Sequence, residues 1–154
     1  PRYIREVMLP AATEGATKSG RDIKTLAIAM KPLICTAPDR ATLEKRVRDV
    51  RARVAFYCST PAYRATFELH GLGALADEMA VLSKAQRWEE MPGRIDDEVL
   101  NTYATVGTYD EIGRKLVERY GGLVSDIEFS IPCTTDAEKA TMRELLAQLR
   151  AERA

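Results

Sequence analysis

Apolar residues at Tyr3, Ile4, Val7, Met8, Ala11, Ala12 and Ala16 recur every three or four positions, the spacing of one helical stripe. Pro10 falls inside that helix, where its missing amide and bulky ring bend or restart the axis, and Gly20 is a natural stop. Leu26–Cys35 is apolar except for Lys31 and Pro32, a run whose length suits one strand covered on both faces, as in a parallel sheet. Pro32 counts against that strand because it cannot donate to the ladder.

After Pro38 and Asp39, the positions Leu43, Val47, Val50, Val54 and Tyr57 predict a long helix, with Glu44, Lys45, Arg46, Arg48, Asp49, Arg51 and Arg53 forming a solvated opposite face. From Cys58 to Tyr103 the pattern stays helical but is cut by Pro61, Gly71, Gly73 and Pro92. Thr60 is placed to cap a helix that begins at Pro61 and runs through Tyr63 and Phe67 to Gly71. A second stripe follows at Leu72, Leu75, Ala76, Met79 and Leu82, Trp88 lies on a connection, and Ile95 and Val99 belong to another short helix. This stretch is longer than an ordinary α/β connection and reads as an insertion at about 59–102.

The last third is tighter. Tyr103–Gly107 is a strand candidate, and Thr108 with Glu111 makes a capping box for a helix carrying Ile112, Leu116 and Tyr120 inward and ending at Gly121 and Gly122. Ile127, Phe129 and Ile131 alternate with Asp126, Glu128 and Ser130 as a third strand closed by Pro132. Thr135 and Glu138 form a second capping box, and Met142, Leu145, Leu146 and Leu149 stripe the final helix. Strands alternating with helices in this order lie parallel and are joined by right-handed crossovers.

The 154 residues carry 23 Lys plus Arg against 23 Asp plus Glu, so no net field attracts nucleic acid or an acidic membrane surface. No apolar run reaches the roughly 18 residues a membrane span needs, and no secretory leader opens the chain, so a cytoplasmic location is expected. Cys35, Cys58 and Cys133 are odd in number and far apart, which speaks against a disulfide framework or a zinc site and for reduced, buried thiols. The chain begins at Pro1, inside an amphipathic helix, as a piece of something longer would.

There is no G-x-G-x-x-G, Walker loop, H-E-x-x-H or G-x-S-x-G, so a self-contained nucleotide or zinc enzyme is disfavoured. The densest group of chemically able side chains is Tyr57, Thr60, Tyr63, Arg64 and His70. A phenol and a guanidinium on one pocket wall suit an oxygen-rich or anionic substrate; alternatively the rings are core and Arg64 is surface. His70, the sole histidine, stands one residue before Gly71, where it either caps helix carbonyls or serves a site. Gly107 and Thr108 close a strand and open a helix, a place where α/β proteins bind anions, although the capping box competes for those donors. Glu128 and Ser130 share one strand face, and Ser130 near its carboxyl end faces a barrel mouth if the strand belongs to a barrel.

The runs PRYIREVMLPA, VAFYCSTPAYRATFELHG, WEEMPGRIDDEVLNTYATVGTYDEIGRKLVERYGG and VSDIEFSIP resemble the carboxyl-terminal half of luciferase-like oxidoreductases. Within that superfamily they are most similar to the actinobacterial branch that uses the deazaflavin coenzyme F420. The resemblance implies an α/β fold that is the carboxyl-terminal portion of a TIM (β/α)8 barrel: one partial-barrel domain over 1–154, about three parallel strands and a helical insertion that helps to close the substrate pocket. A complete barrel takes about 250 residues and eight strands, so the early strands that hold most coenzyme contacts are expected upstream of Pro1. Transferred by position, Tyr57, Tyr63, Arg64, His70 and Ser130 become candidate substrate-binding residues and Gly107 and Thr108 candidate cofactor-binding residues. No catalytic residue and no metal ligand is assigned.

The resemblance implies hydride transfer between the deazaflavin and an organic small-molecule substrate. A close variant uses flavin mononucleotide (FMN) and molecular oxygen as a monooxygenase. A reading of another class is a non-catalytic partial barrel that serves as an interaction or assembly module. Exposed sheet edges then call for a homo-oligomer or for the missing amino-terminal half.

Overall fold

The computed structural model describes residues 1–129 and 131–153. A π-helical turn over Ile4–Met8 leads into helix α1 (Leu9–Lys18), followed by strands β1 (Ala29–Met30) and β2 (Leu33–Ala37) and helix α2 (Arg40–Ser59). Then come a 3-10 turn (Pro61–Tyr63), α3 (Arg64–Glu68), α4 (Gly73–Lys84), another such turn (Met91–Arg94) and α5 (Asp97–Tyr103), a further 3-10 turn (Ile23–Thr25) lying ahead of β1. Strand β3 (Ala104–Thr108), helix α6 (Tyr109–Tyr120), strand β4 (Asp126–Ile127) and helix α7 (Asp136–Arg153) complete the order. The chain forms two compact units, Leu33–Ile112 and Pro1–Pro32 with Gly113–Ala154.

In the Leu33–Ile112 unit, β2 and β3 pair in parallel from Leu33↔Ala104 to Ala37↔Thr108. Cys35, Ala37 and Val106 pack with Leu43, Val47 and Val50 of α2. The predicted stripe of α2 is present, with Leu43 and Val54 fully buried, and Ala55 and Cys58 extend it where the helix meets the other helices. Asp39 starts α2 by accepting from the Thr42 amide at 2.8 Å, which satisfies a donor at the helix start. Asp96 does the same for Val99 at 2.8 Å at the head of α5. The charged face of α2 is not wholly solvated: Arg46 donates to the Thr36 carbonyl at 2.6 Å, and Arg51 reaches the Ile95 carbonyl and Asp97. Phe67, Ala76, Met79, Leu82, Met91 and Leu100 fill the core between α2 and the helical stretch. Ile95, expected within a helix, precedes α5 in extended conformation and is buried.

In the other unit, Pro10 stands at the start of α1 where the π-helical turn gives way to it. The chain thus restarts its helix at the proline, because a ring there has no amide to offer the preceding turn. The helix ends at Gly20, whose φ is +69°. The expected single strand over Leu26–Cys35 is two strands: β1 pairs in parallel with β4, while β2 pairs with β3. Lys31 and Pro32 break the ladder between them, as a residue without an amide hydrogen must. The expected third strand is reduced to Asp126–Ile127, prolonged by the Glu128 amide donating to Met30 O at 2.8 Å, and Glu128 pairs with Lys31. In a barrel of successive strand–helix units β4 would lie beside β3; its recorded partner is β1.

The Thr135–Glu138 capping box that opens α7 is complete. Glu138 accepts from the Thr134 and Thr135 amides at 2.8 and 2.9 Å, and its own amide donates to Thr135 Oγ1 at 3.2 Å. A cavity of about 540 Å³ in this unit is lined by Leu116, Tyr120, Ile127, Phe129, Leu149 and Arg150 among others. Cys35 and Cys58 are buried free thiols, whereas Cys133 is exposed, against the expectation for all three. Among the described residues, no helix is long and apolar enough to cross a membrane.

Candidate functional site

Two places in the Leu33–Ile112 unit gather the predicted site residues. The first is the turn from α2 into α3. Backbone bonds from Thr60 N to Tyr57 O (3.1 Å) and from Tyr63 N to Thr60 O (3.0 Å) reverse the chain. The reversal sets the Tyr57 and Tyr63 rings edge to face, with centroids 5.1 Å apart at 75°. Phe56 continues the group, 5.9 Å from Tyr57 and 6.4 Å from Trp88. Phe56, Tyr63 and Trp88 are 51%, 44% and 45% exposed, so this is an open aromatic surface suited to flat or apolar molecules. Thr60 does not cap the following turn; its hydroxyl donates back to Phe56 O at 2.9 Å.

Arg64 follows Tyr63, but its guanidinium is engaged by carboxylates. Nε donates to Glu68 Oε1 at 2.7 Å, and Nη1 and Nη2 meet Asp77 Oδ1 and Oδ2 at 2.5 and 3.3 Å. Those hydrogen bonds, Asp77's first, push the Arg64 pKa above its ordinary value, and the same contact holds the Asp77 carboxyl below the usual carboxylate range. Three of the five guanidinium N–H donors are therefore already directed at carboxylates.

His70 stands after α3, where the backbone makes the capping bonds: Gly71 N to Glu68 O at 2.9 Å and Leu72 N to Phe67 O at 2.9 Å, with Gly71 at φ +73°. These are the paired bonds of a Schellman motif. The imidazole lies edge-on to Tyr103 at 5.6 Å. Tyr103 in turn stacks on Phe67 at 4.3 Å and donates its hydroxyl to Thr66 O at 3.1 Å. Burial pushes the Tyr103 phenol above its ordinary range and the Cys58 thiol up to about 11, so both are neutral near pH 7. His70 thus belongs to an aromatic stack with a dry interior side.

The second place is the pair β2–β3. Thr108 at the end of β3 has both its donors directed at carboxylates: the amide at Glu111 Oε2, 3.1 Å away, and the hydroxyl at Asp110 Oδ1. Half of the expected capping box is present, the Glu111 half, while the hydroxyl has turned to Asp110. Glu111 also pairs with Arg40. Gly107 lies in register with Thr36, as Thr105 does with Ile34. Since side chains alternate along a strand, Ile34, Thr36, Thr105 and Gly107 share the face opposite to the one packed on α2. The Thr36 and Thr105 hydroxyls on that face are buried and have no hydrogen-bond partner among the described residues. Sequence reasoning missed both, because Thr inside an apolar strand reads as a strand former. Ser130 lies outside the described residues. No group of three or more metal-ligating side chains occurs among the described residues.

Comparison with known proteins follows the same segments. Residues 1–126 match the family described as luciferase-like monooxygenase. An uncharacterized protein of Mycobacterium bovis and two of Mycobacterium tuberculosis are each 41% identical over 126 residues, covering 82% of this chain and 37% of the relative. The chain therefore spans little over a third of the length of these curated relatives. No solved structure matches it. With four-fifths of its length matched, this chain belongs to the luciferase-like monooxygenase family.

Proposed function

We propose that this chain is the carboxyl-terminal part of a coenzyme F420-dependent oxidoreductase built on a (β/α)8 barrel, the rest of which is contributed by sequence outside it. Family membership over residues 1–126 carries the reading. It is supported by the parallel β2–β3 pair with its helical connection and by the sequence resemblance to the deazaflavin branch. When bound, the coenzyme's ring supplies the hydride chemistry. The residues of this chain orient and shield: Tyr57 and Tyr63 present an aromatic wall to the substrate, His70 and its stack close the side, and Ser130 contacts the substrate. Gly107 leaves room at the carboxyl end of β3, and Thr108 fixes the start of α6 beside it. Arg64 holds the turn that carries Tyr63 through its bonds to Glu68 and Asp77.

The family's description favours a second reading, in which the ring is that of FMN and the oxidant is molecular oxygen. Titration of the full-length protein with each coenzyme, followed by fluorescence quenching, separates them. The deazaflavin is expected to bind at least tenfold tighter than FMN. Tighter FMN binding establishes the second reading, and the absence of binding by either points to a non-catalytic module.

A further inference from the structure

We propose that the cavity lined by α6, β4 and α7 binds a small amphipathic carboxylate, with the apolar body held inside and the carboxylate held by Arg150 and Tyr120. None of the lining residues is assigned to substrate or coenzyme above, so the proposal stands apart from the oxidoreductase reading. Its volume of about 540 Å³ lies within the roughly 300–1,000 Å³ usual for small-molecule sites, which combine apolar walls with a few placed polar groups.

The walls follow from the periodicity of the elements. Leu116 and Tyr120 share one stripe of α6, and Leu146, Leu149 and Arg150 share one stripe of α7. Ile127 and Phe129, two positions apart, alternate onto one side of their segment. Leu116 and Tyr120 are buried, whereas Ile127, Phe129, Leu146 and Leu149 are only half-buried. Their apolar surface is turned to the cavity instead of being consumed by packing.

Two polar groups give the cavity a sign. Tyr120 is 3% exposed, and its hydroxyl accepts from Arg119 Nε at 3.1 Å. Its phenolic hydrogen has no acceptor among the described residues, and a buried O–H left in that state costs stability. Arg150 is exposed where it borders the cavity and has neither an ion pair nor a hydrogen bond among the described residues. The other polar groups of the lining are turned away or committed. Asp126 alternates with Ile127 and is exposed, so its carboxylate belongs to the opposite strand face, and Ser125 Oγ accepts from the Ile28 amide at 3.0 Å. A guanidinium and an O–H that have only hydrogens to give suit a partner with two acceptor oxygens and negative charge. One unpaired cation matches one negative charge, which favours a monocarboxylate over a phosphate ester.

The test uses the full-length protein, with decanoate as the probe and decan-1-ol, the same apolar chain without the charge, as its comparator, each titrated calorimetrically. Decanoate is expected to bind about tenfold more tightly than decan-1-ol, or better. Arg150→Gln removes the charge from an exposed position; it should weaken decanoate about tenfold and leave decan-1-ol affinity and the melting temperature unchanged. Tyr120→Phe should weaken decanoate about threefold to tenfold, and Leu146→Trp, which fills the cavity, should abolish binding of both. A parent protein that does not bind decanoate overturns the proposal, because sequence outside this chain then fills the cavity. Equal affinity for decanoate and decan-1-ol, or an Arg150→Gln variant that binds decanoate like the parent, overturns it as well, since the cavity then takes up apolar chains without reading charge. The Arg150→Gln result decides the matter even if Leu146→Trp fails to fold. No readout involves coenzyme or turnover, so failure here is distinct from failure of the oxidoreductase reading.

Discussion

Arg64 and Asp77 meet through two nitrogen–oxygen contacts, 2.5 and 3.3 Å long, that tie the short helix α3 to α4. The pair is exposed, and exposed ion pairs contribute little to global stability, so its consequence is local: it fixes the helix that follows Tyr63. If the proposed oxidoreductase function holds, Arg64→Ala in the full-length protein lowers kcat/KM for substrate while coenzyme affinity changes less than twofold. Asp77→Ala should reproduce the same pattern, since either substitution releases α3. Steady-state kinetics and coenzyme titration check this; equal loss of turnover and coenzyme affinity, or an inert Asp77→Ala, refutes it.

Glu138 accepts hydrogen bonds from the Thr134 and Thr135 amides, and these bring its pKa down to about 2. A carboxylate depressed below its unfolded value of about 4.3 adds stability that is complete above that value and is lost as pH falls through the folded pKa. Protection of the Thr134 and Thr135 amides against hydrogen exchange should therefore hold at pH 5 and decline between about pH 4 and pH 2. In Glu138→Ala that protection should be low throughout the range. An unaltered pH dependence in the variant would exclude the capping role.

Gln86 is the one residue other than glycine with positive φ among the described residues, at 58°. It closes α4 with the bond pattern that Gly71 uses for α3: Gln86 N to Ser83 O at 3.0 Å and Arg87 N to Leu82 O at 2.9 Å. A side chain in this conformation costs about 1–2 kcal/mol, partly offset by the greater unfolded-state freedom of glycine. Gln86→Gly should stabilise the protein by about 0.5–1 kcal/mol in denaturant titration, and Gly71→Ala should destabilise it by a similar amount.

Gly121 is required for a different reason. A Cβ built there stands 2.6 Å from the backbone oxygen of Val117, which also accepts the Gly121 amide at 2.8 Å. The clash is with main chain, which has no flexible end to move away. Gly121→Ala should cost about 1–3 kcal/mol, seen as a lower denaturant midpoint at unchanged slope.

Sequence periodicity located the helices well, because the stripes of α2, α4 and α7 are local signals. Leu43 and Val54, Ala76 and Met79, and Leu145 are all buried. Capping was partly legible: the Thr135–Glu138 box is complete, but the Thr108 hydroxyl prefers Asp110, a competition that the spacing alone does not rank. Asp39 and Asp96 were not singled out as caps, though each stands just before its helix. The division of Leu26–Cys35 was illegible because strand pairing is non-local: β1 finds its partner at Asp126–Ile127 and β2 at Ala104–Thr108. Of the predicted site, Tyr57 and Tyr63 do come together. The engagement of Arg64 depends on Asp77, 13 residues away, and no one-dimensional pattern reports it. Thr36 and Thr105 do not stand out in the sequence because threonine is itself a strand former and blends into an apolar run.

The proline at position 32 also governs how disorder spreads. With no amide hydrogen to hand the ladder on, the two-residue pairing at Ala29–Met30 and the five-residue pairing at Leu33–Ala37 are not joined into one zipper. Because the two ladders also use different partner strands, β4 and β3, fraying of the shorter one has no shared hydrogen-bonded ladder through which to reach the longer one.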